Sequence, residues 1–447
     1  MKRNWIFLAV AAVALLVAIV AAAPFIAEMR TPPSESAGDE PALGTDPSTR
    51  ERTAPHRRRR AEYAEFLRYL DERRADGKPT TLRELLGPDP PDADNAAVEL
   101  VAALKAVTAD VGEDSAFPKV GPWGERPFEE QTPEQFEELR VFVERLRPFC
   151  GRVAKALDRP RCRLPVPGGI DETFEDSIRA LQRASRILIA AARADADVER
   201  RLEALTTLLR LARRNEPTTE IASMVNTALA KAAVAAIRDG IARNELAPGV
   251  VRARLDALLT TDWIATGPAF FELQFVGFLA NARAWIDRGF RLPEGTQEFL
   301  TSRSPSPEEL LAVTDALEEA SRLPSSPYGK YAARADALEE HLGAAGPGVG
   351  VSLFVRSIGD VEAACRLARI ALAAGEYRST HDDFPASLDD LKPMFVDGVP
   401  LNPMTDAPLV YERTETGARL ATEARSHDDA DHEELIRERC LVWELKR

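Results

Sequence analysis

The sequence predicts a mainly α protein that consists of an N-terminal transmembrane helix, an antiparallel helical-hairpin array and a small C-terminal α+β module. Alanine, leucine, arginine and glutamate are abundant, and only 6% of the residues are aromatic, which favours helix over sheet. An uncharged apolar stretch lies at the start, and the tail has short apolar stretches separated by prolines. A chain of 447 residues is too long to fold around a single hydrophobic core of ordinary size. We therefore divide it into a transmembrane anchor (1–30), a disordered linker (31–60), a helical-array domain (61–345) and the α+β module (351–447).

The predicted anchor is the apolar stretch at residues 5–27. It carries no charge and is long enough to cross a hydrocarbon core of about 30 Å. A cleaved signal peptide is the alternative, with the alanines at residues 21–23 as the cleavage site. Pro24 would then follow the cut, and the stretch is longer than a usual signal-peptide core. We therefore favour a retained signal-anchor.

The charges beside this stretch predict its orientation. Lys2 and Arg3 precede it, whereas only Glu28 and Arg30 follow closely. Because the positive flank stays inside, we expect a single-pass protein of the bacterial inner membrane whose bulk is periplasmic. The formal charge of −14 argues against a nucleic-acid partner, because a protein that binds nucleic acid presents a basic surface.

Residues 31–56 are rich in proline, serine, aspartate and glutamate. Such a segment cannot bury enough apolar surface to offset the entropy lost on ordering, so we expect a disordered linker. It ends in the basic run at residues 57–60. This run either contacts anionic lipid headgroups or is the solvated start of the next helix, and we favour the second interpretation.

Apolar side chains recur at helical spacing through the middle of the chain. The stripes are Phe174, Ile178, Leu181 and Leu188; Val198, Leu202, Leu205, Leu209 and Ala212; and Ile221, Val225, Ala228 and Ala232. Each stripe predicts an amphipathic helix, and the short gaps predict antiparallel neighbours. Capping boxes at Thr132 and Ser306 predict two further helix starts. An aromatic stripe is assigned to core packing, with a partner groove as the alternative; it comprises Phe271, Phe275, Phe278 and Trp285.

The tail combines a helix with a proline-rich pattern. Residues 380–391 read THDDFPASLDDL, residues 399–411 read VPLNPMTDAPLVY, and RCLVWELKR closes the chain. The apolar residues around a turn at residues 415–417 predict paired strands. We expect these strands to pack on the preceding helix, which carries Leu367, Ile370 and Leu372.

This tail resembles the C-terminal region of type II secretion pseudopilins. There, a helix is followed by a "G-x-[YF]-P-x-S-L-x-x-L" turn and by a "D-P-[FW]-x-x-P-x-x-Y" segment that leads into a small antiparallel sheet. The resemblance covers under a quarter of the chain and implies a pseudopilin-like module. Residues 5–27 contain neither the glutamate nor the processing site of a pseudopilin, so filament assembly is not implied.

Two further motifs are the helix start Asn95-Ala96-Ala97 and the turn Arg159-Pro160-Arg161-Cys162-Arg163. Together with the single anchor, the helical middle and the tail, they resemble an uncharacterised bacterial family of exported helical proteins. This resemblance implies export and anchoring, and it implies no activity.

If the bulk is exported, the cysteines lie in an oxidising compartment. Cys150 and Cys162 form one candidate disulfide, which would be worth about 3 kcal/mol through loop closure. Cys365 and Cys440 form the second candidate, which would tie a helix to the last strand. The alternative is that all of them are small buried hydrophobic side chains, and the sequence leaves both interpretations open.

Sequence motifs for catalysis are lacking. No H-E-x-x-H arrangement and no G-x-S-x-G elbow occurs, so we predict no catalytic or cofactor-binding residue. Asp428, Asp429 and Asp431 are weak candidates for Ca²⁺ ligands, because carboxylates suit a hard cation. A charged loop between strands is the default interpretation of that stretch.

These observations predict a membrane-anchored envelope protein that binds or scaffolds a protein partner through helical surfaces. We favour a non-enzymatic role. The first alternative is an accessory component of a type II secretion or pilus-like machine, and the second is an unrecognised envelope hydrolase.

Overall fold

A computed structural model of the chain describes residues 58, 60–111, 132–164, 172–218, 220–288, 306–323, 328–345, 351–422 and 442–446. The predicted anchor and most of the predicted linker lie outside the described residues. The membrane location therefore stays a prediction.

Helices account for most of the described part of the chain, so the prediction of a mainly α protein is confirmed. They are α1 (Ala64–Ala75), α2 (Leu82–Leu86), α3 (Ala96–Val111), α4 (Pro133–Arg145), α5 (Arg147–Ala156), α6 (Glu172–Ala194), α7 (Val198–Arg214), α8 (Glu220–Ala242), α9 (Pro248–Leu259), α10 (Gly267–Arg288), α11 (Pro307–Arg322), α12 (Tyr328–Ala345) and α13 (Val351–His381). Short 3₁₀ helices lie at Asp92–Asp94, Ile264–Thr266 and Leu388–Met394.

The two predicted capping boxes begin α4 and α11. The side chains of Thr132 and Ser306 each accept a hydrogen bond from the backbone N–H three residues later. Gln135 and Glu309 in turn accept a hydrogen bond from the backbone of the cap residue. Each box satisfies N–H groups that have no partner inside the helix. Both predicted helix starts are therefore confirmed.

Helices α6, α7 and α8 pack on one another in chain order. The predicted apolar stripe of α7 faces inward from Leu202 onward, since Leu202, Leu205 and Leu209 are buried. Val198, the first residue of that stripe, is instead 43% exposed. Helices α3 and α4 both pack on α6, and α5 packs between α3 and α7. Together with α9, these helices enclose the larger of two hydrophobic clusters.

Helix α13 runs through both hydrophobic clusters. Phe354, Val355 and Ile358, near its N-terminus, belong to the smaller cluster, which also holds side chains of α1, α10, α11 and α12. Buried side chains between residues 361 and 374 belong to the larger cluster. The predicted division into regions 61–345 and 351–447 stays a prediction, and α13 packs on α8, α9 and α12.

The tail forms a three-stranded antiparallel sheet with the order β3 (Val410–Thr414), β4 (Gly417–Ala421) and β5 (Val442–Lys446). The other sheet among the described residues pairs β1 (Cys162–Arg163) with β2 (Asn215–Glu216), which lie earlier in the chain. Leu420 and Trp443 lie in the larger cluster together with Leu367 and Ile370 of α13. The predicted strands and their packing on the preceding helix are confirmed.

Among the described residues, one stretch is long and apolar enough to cross a membrane, judged by length and composition alone. It is Pro248–Ala284, and 56% of its most apolar window is buried inside the protein.

Phe271 and Phe275 of the aromatic stripe are buried in the smaller cluster, and Phe278 packs against it. Core packing is thus confirmed for these side chains, whereas that of Trp285 lies outside the described part.

Because α13 packs closely on α12, we expect a substitution at Gly359 to change the stability of the protein. A methyl group on Gly359 would lie 2.7 Å from Cε2 of the buried Tyr328 ring, which is too close for two carbon atoms. We expect Gly359→Ala to lower the free energy of unfolding by about 1–3 kcal/mol, the usual cost of overpacking a core, as measured by chemical denaturation.

Gly151→Ala on the exposed face of α5 is the matched control, because nothing lies within 4 Å of its added methyl group. It should raise the free energy of unfolding by about 0.5–1 kcal/mol. Equal stabilities of the two variants would contradict the described packing.

Candidate functional site

Two motifs that lie far apart in the sequence meet in the structure. Asn95 stands directly before α3, and residues 159–163, the arginine turn, follow α5. Asn95 forms a parallel bridge to Arg161. Strand β1 (Cys162–Arg163) pairs in parallel with β2 (Asn215–Glu216). The three segments therefore lie side by side, and they form the candidate site.

The buried side chain of Asn95 joins the arginine turn to α3. Its Nδ2 donates to the carbonyl oxygen of Arg163 at 2.8 Å, and its Oδ1 accepts from the N–H of Arg163 at 2.9 Å. Oδ1 also accepts from the N–H of Ala97 at 3.2 Å, which caps the start of α3. The side-chain amide of Asn95 thus makes the two hydrogen bonds to the backbone of Arg163 that a neighbouring strand would make, and it also caps α3.

Glu216 binds two of the three arginines of the turn. Arg163, whose side chain is only 9% exposed, donates from Nε to Glu216 at 3.0 Å and from Nη1 to the carbonyl oxygens of Leu86 and Pro88. Arg161 binds the same carboxylate through Nε and Nη2. The hydrogen bond from Arg161, followed by that from Arg163, lowers the pKa of Glu216 despite its partial burial.

Arg159 extends the cluster toward α3. Its Nη1 donates to the carbonyl oxygens of Asp92 and Asn95 at 3.2 and 3.0 Å. Its Nη2 lies 3.8 Å from the carboxylate of Glu99, and Arg152 of α5 binds that carboxylate at 2.6 Å. Two arginines therefore share Glu99, as two arginines share Glu216.

Helix α7 contributes two further arginines. Arg210 donates to the carbonyl oxygen of Leu157 at 2.8 Å and to the carboxylate of Asp158 at 2.7 Å. Arg214 donates to the carbonyl oxygens of Leu157 and Arg159. The last carbonyls of a helix have no partner inside it, so these side chains complete the C-terminal end of α5.

The chemistry of this arrangement follows from its guanidinium groups. They are donors only and stay charged at physiological pH. The site is therefore suited to bind carboxylates, phosphates and carbonyl oxygens, and it is not suited to move protons. Inside the fold, its contacts hold α2, α3, α5 and α7 together.

A second group of charged side chains surrounds a pocket of about 300 Å³. The pocket bears on the hydrolase alternative, because a hydrolase would need carboxylates that converge on a pocket. The pocket is lined by Asp315, Glu318, Glu319, Arg322 and Leu323. Arg73 donates to Glu318 at 2.9 Å, and Arg334 binds Glu319. Burial, followed by the charge of Glu318, raises the pKa of Tyr69. Because the two glutamates lie in ion pairs, we do not assign a function to this pocket.

The structure has Cys150 and Cys162 as free thiols, so the predicted disulfide between them is not formed. Cys150 lies within α5, and Cys162 lies in β1, where it is paired with Asn215 of β2.

Cys365 is also a free thiol. Burial raises the pKa of this thiol to about 12, as it does for Cys150 and Cys162. The alternative of small buried hydrophobic side chains thus describes Cys162 and Cys365 in the structure, and Cys150 is partly buried against the larger cluster. Cys440 lies outside the described residues, so its disulfide with Cys365 stays a prediction.

Asp428, Asp429 and Asp431 also lie outside the described residues, so a Ca²⁺ site there stays a prediction. In the part of the chain that the structure describes, no group of three or more His, Cys, Asp or Glu side chains is placed to hold a metal ion.

Sequence reasoning found the Asn95 motif and the arginine turn but missed their connection. It also missed Glu216, Arg210 and Arg214. The one local signal was the spacing of Arg210 and Arg214, which puts them on the same face of α7. Glu216 has no local signal, because its partner Arg161 lies 55 residues earlier.

No protein-family model matches the sequence, and no curated protein or solved structure matches the chain. The resemblances to pseudopilins and to exported helical proteins therefore stay predictions.

The contacts of Asn95 generate a prediction for the site. Asn95→Ala leaves the N–H and the carbonyl oxygen of Arg163 buried without these partners, and it removes the cap of α3. We expect a loss of about 2–4 kcal/mol in the free energy of unfolding, measured in urea.

Asn281→Ala, at an exposed position of α10, should change stability by less than about 0.5 kcal/mol. If Asn95→Ala were as mild as Asn281→Ala, the proposed joint between α3 and the turn would be refuted.

The lowered pKa of Glu216 generates a pH prediction. A carboxyl whose pKa is lower in the folded than in the unfolded state stabilises the fold above its unfolded pKa, and this stability disappears as the pH falls. At pH 7 we expect Glu216→Gln to be less stable than the parent by about 1–2 kcal/mol. The difference should shrink as the pH is lowered through the range of about 4.5 to 3.

Urea denaturation of both proteins across this pH range measures the difference. Glu340→Gln, at an exposed position of α12, serves as the control and should show little difference at any pH. A constant difference for Glu216→Gln would show that its ion pairs are not the cause.

Proposed function

We propose that the chain is a single-pass, membrane-anchored envelope protein that binds or scaffolds a protein partner through its helical surfaces. In this proposal, residues 1–30 cross the bacterial inner membrane and residues 31–60 form a linker. The body, a helical-hairpin array with a pseudopilin-like module, lies in the periplasm. The uncharged apolar composition of residues 5–27 and the polar composition of residues 31–56 support this arrangement.

The observation that carries the binding role is the use made of buried polar side chains. Asn95 joins β1 to α3, and Arg163 joins Glu216 to the end of α2. Groups that are fixed in this way position helices and are not free to react. They support a rigid body that presents its helix faces to a partner.

In this proposal the partner binds α3 and α4, each of which carries an exposed apolar side chain. Val98 on α3 is 40% exposed and Val141 on α4 is 65% exposed. On the same helices, Val101 and Phe136 are only partly buried against the larger cluster. Both helices pack on α6. Exposed apolar surface of this kind is typical of interaction sites when it is contiguous.

The order of elements in the tail favours one alternative, an accessory component of a type II secretion or pilus-like machine. Helix α13, a proline-containing connection and the sheet β3-β4-β5 follow one another. That order is the one implied by the resemblance to pseudopilins, so the partner in this alternative is a pseudopilin or an inner-membrane platform protein of such a machine.

Membrane attachment and partner binding are tested separately on the full chain. After an alkaline carbonate wash, the full chain should remain in the membrane fraction, and a variant lacking residues 1–30 should not. An impermeant protease should reach the body in spheroplasts. A body that is protected until the cells are lysed would overturn the periplasmic location.

Partner binding is tested by photo-crosslinking in intact cells. A benzophenone amino acid at Val98 and at Val141 should capture one common protein, whereas the same probe at exposed Glu340 should not. Identification by mass spectrometry distinguishes a secretion-machine component from another partner. Identical products from the three positions, or none at Val98 and Val141, would contradict binding through α3 and α4.

A further inference from the structure

We propose that the surface around the arginine turn binds anionic phospholipid headgroups and thereby holds the body against the bilayer. This inference rests on the proposed anchoring of the chain. The surface, called here the guanidinium face, is defined by Arg152, Lys155, Arg159, Arg161, Arg210 and Arg214.

The guanidinium face is continuous through direct contacts. Arg152 and Arg159 share the carboxylate of Glu99. Arg214 donates to the carbonyl oxygen of Arg159. Lys155 is three residues beyond Arg152 on α5, and residues three apart lie on the same side of a helix. The basic groups are therefore neighbours and do not lie on separate parts of the surface.

Basic groups outnumber carboxylates around the arginine turn. Arg152 and Arg159 share the carboxylate of Glu99, and Arg161 and Arg163 share that of Glu216. Arg210 binds Asp158, and Arg214 lies beside Arg210. The carboxylates of Asp92 and Asp94 are also nearby, on the 3₁₀ helix before Asn95. The guanidinium face has six basic groups, and the carboxylates around it number five: Glu99, Glu216, Asp158, Asp92 and Asp94.

The excess charge is accessible to a large ligand. The side chains of Arg152 and Arg161 are 45% and 44% exposed, and that of Arg159 is 31% exposed. Lys155 and Arg214 are also exposed. Arginine binds phosphate through a planar fork of donors, which suits an array of headgroups.

The charge of the whole chain supports a lipid surface as the occupant. With a net charge of −14, the protein is repelled by an anionic bilayer except at a locally positive surface. Near such a bilayer the body should therefore turn the guanidinium face toward the lipid. An anchor and a short linker keep the local lipid concentration high, so a weak electrostatic site is sufficient.

The test is a lysine footprint on the full chain reconstituted into vesicles. One set contains phosphatidylcholine alone, and in the other phosphatidylglycerol replaces part of it. Acetylation by an N-hydroxysuccinimide ester is followed by mass spectrometry at Lys155 and, as an internal control, at exposed Lys330 of α12. We expect acetylation of Lys155 to slow about fivefold with phosphatidylglycerol, the factor expected for one basic side chain at an anionic surface. Lys330 should be unchanged, and high salt should abolish the difference.

Two variants form a matched pair for the same measurement. Arg152 and Arg334 are 45% and 47% exposed, and each is paired with a glutamate on a neighbouring helix. Arg152→Gln should weaken the protection of Lys155, whereas Arg334→Gln should not. Equal effects of the two variants would overturn the inference.

The remaining outcomes separate this inference from the proposed function. If Lys155 is acetylated at the same rate in both vesicle types, or is slowed to the same extent in both, binding to anionic headgroups is refuted even if the chain stays anchored. If the carbonate wash removes the chain but added phosphatidylglycerol vesicles still protect Lys155, the anchoring fails and the lipid site stands.

Discussion

Arginine side chains that bind the C-terminal carbonyl groups of neighbouring helices hold the larger part of this structure together. Helix α7 supplies many of them. Arg201 donates to the carbonyl oxygen of Ala192 at 3.2 Å near the end of α6, and Arg213 donates to that of Ala257 at 3.4 Å near the end of α9. Arg210 does the same for α5. The end of a helix presents carbonyls without partners and the negative pole of its dipole. A guanidinium group satisfies both requirements from an adjacent helix.

This use of arginine places charge inside the protein, and the structure compensates for it locally. Arg193 on α6 lies 3.1 Å from Asp239 on α8, and both side chains are at most 10% exposed. Arg201 binds Glu245 at 2.7 Å as well as the carbonyl of α6. Removing one member of such a pair leaves a buried charge without its counterion. The helices around α7 are therefore joined to one another by ion pairs as well as by apolar packing.

The sequence predicted those features that depend on nearby residues. The capping box at Thr132 and the stripe through Leu205 are local patterns, and the structure contains both. The tail strands were predictable from short apolar stretches around a turn. Glu216 and the joint at Asn95 were not predictable, because their partners come from distant segments. The disulfide between Cys150 and Cys162 is not formed, although only twelve positions separate the two cysteines, because that spacing does not show how a helix and a strand orient their thiols.

Helix α13 shows where periodicity ceases to be informative. A helix with one buried face has a polar stripe that marks the opposite side, but between Phe354 and Ala374 the buried apolar side chains of α13 are interspersed with charged ones such as Asp360, Arg366 and Arg369. Such a pattern does not identify the neighbours of the helix. The sequence therefore associated this helix with the tail alone, whereas its packing on α8, α9 and α12 connects it to both hydrophobic clusters. The tail sheet and the helices of the larger cluster therefore pack on the same helix, α13.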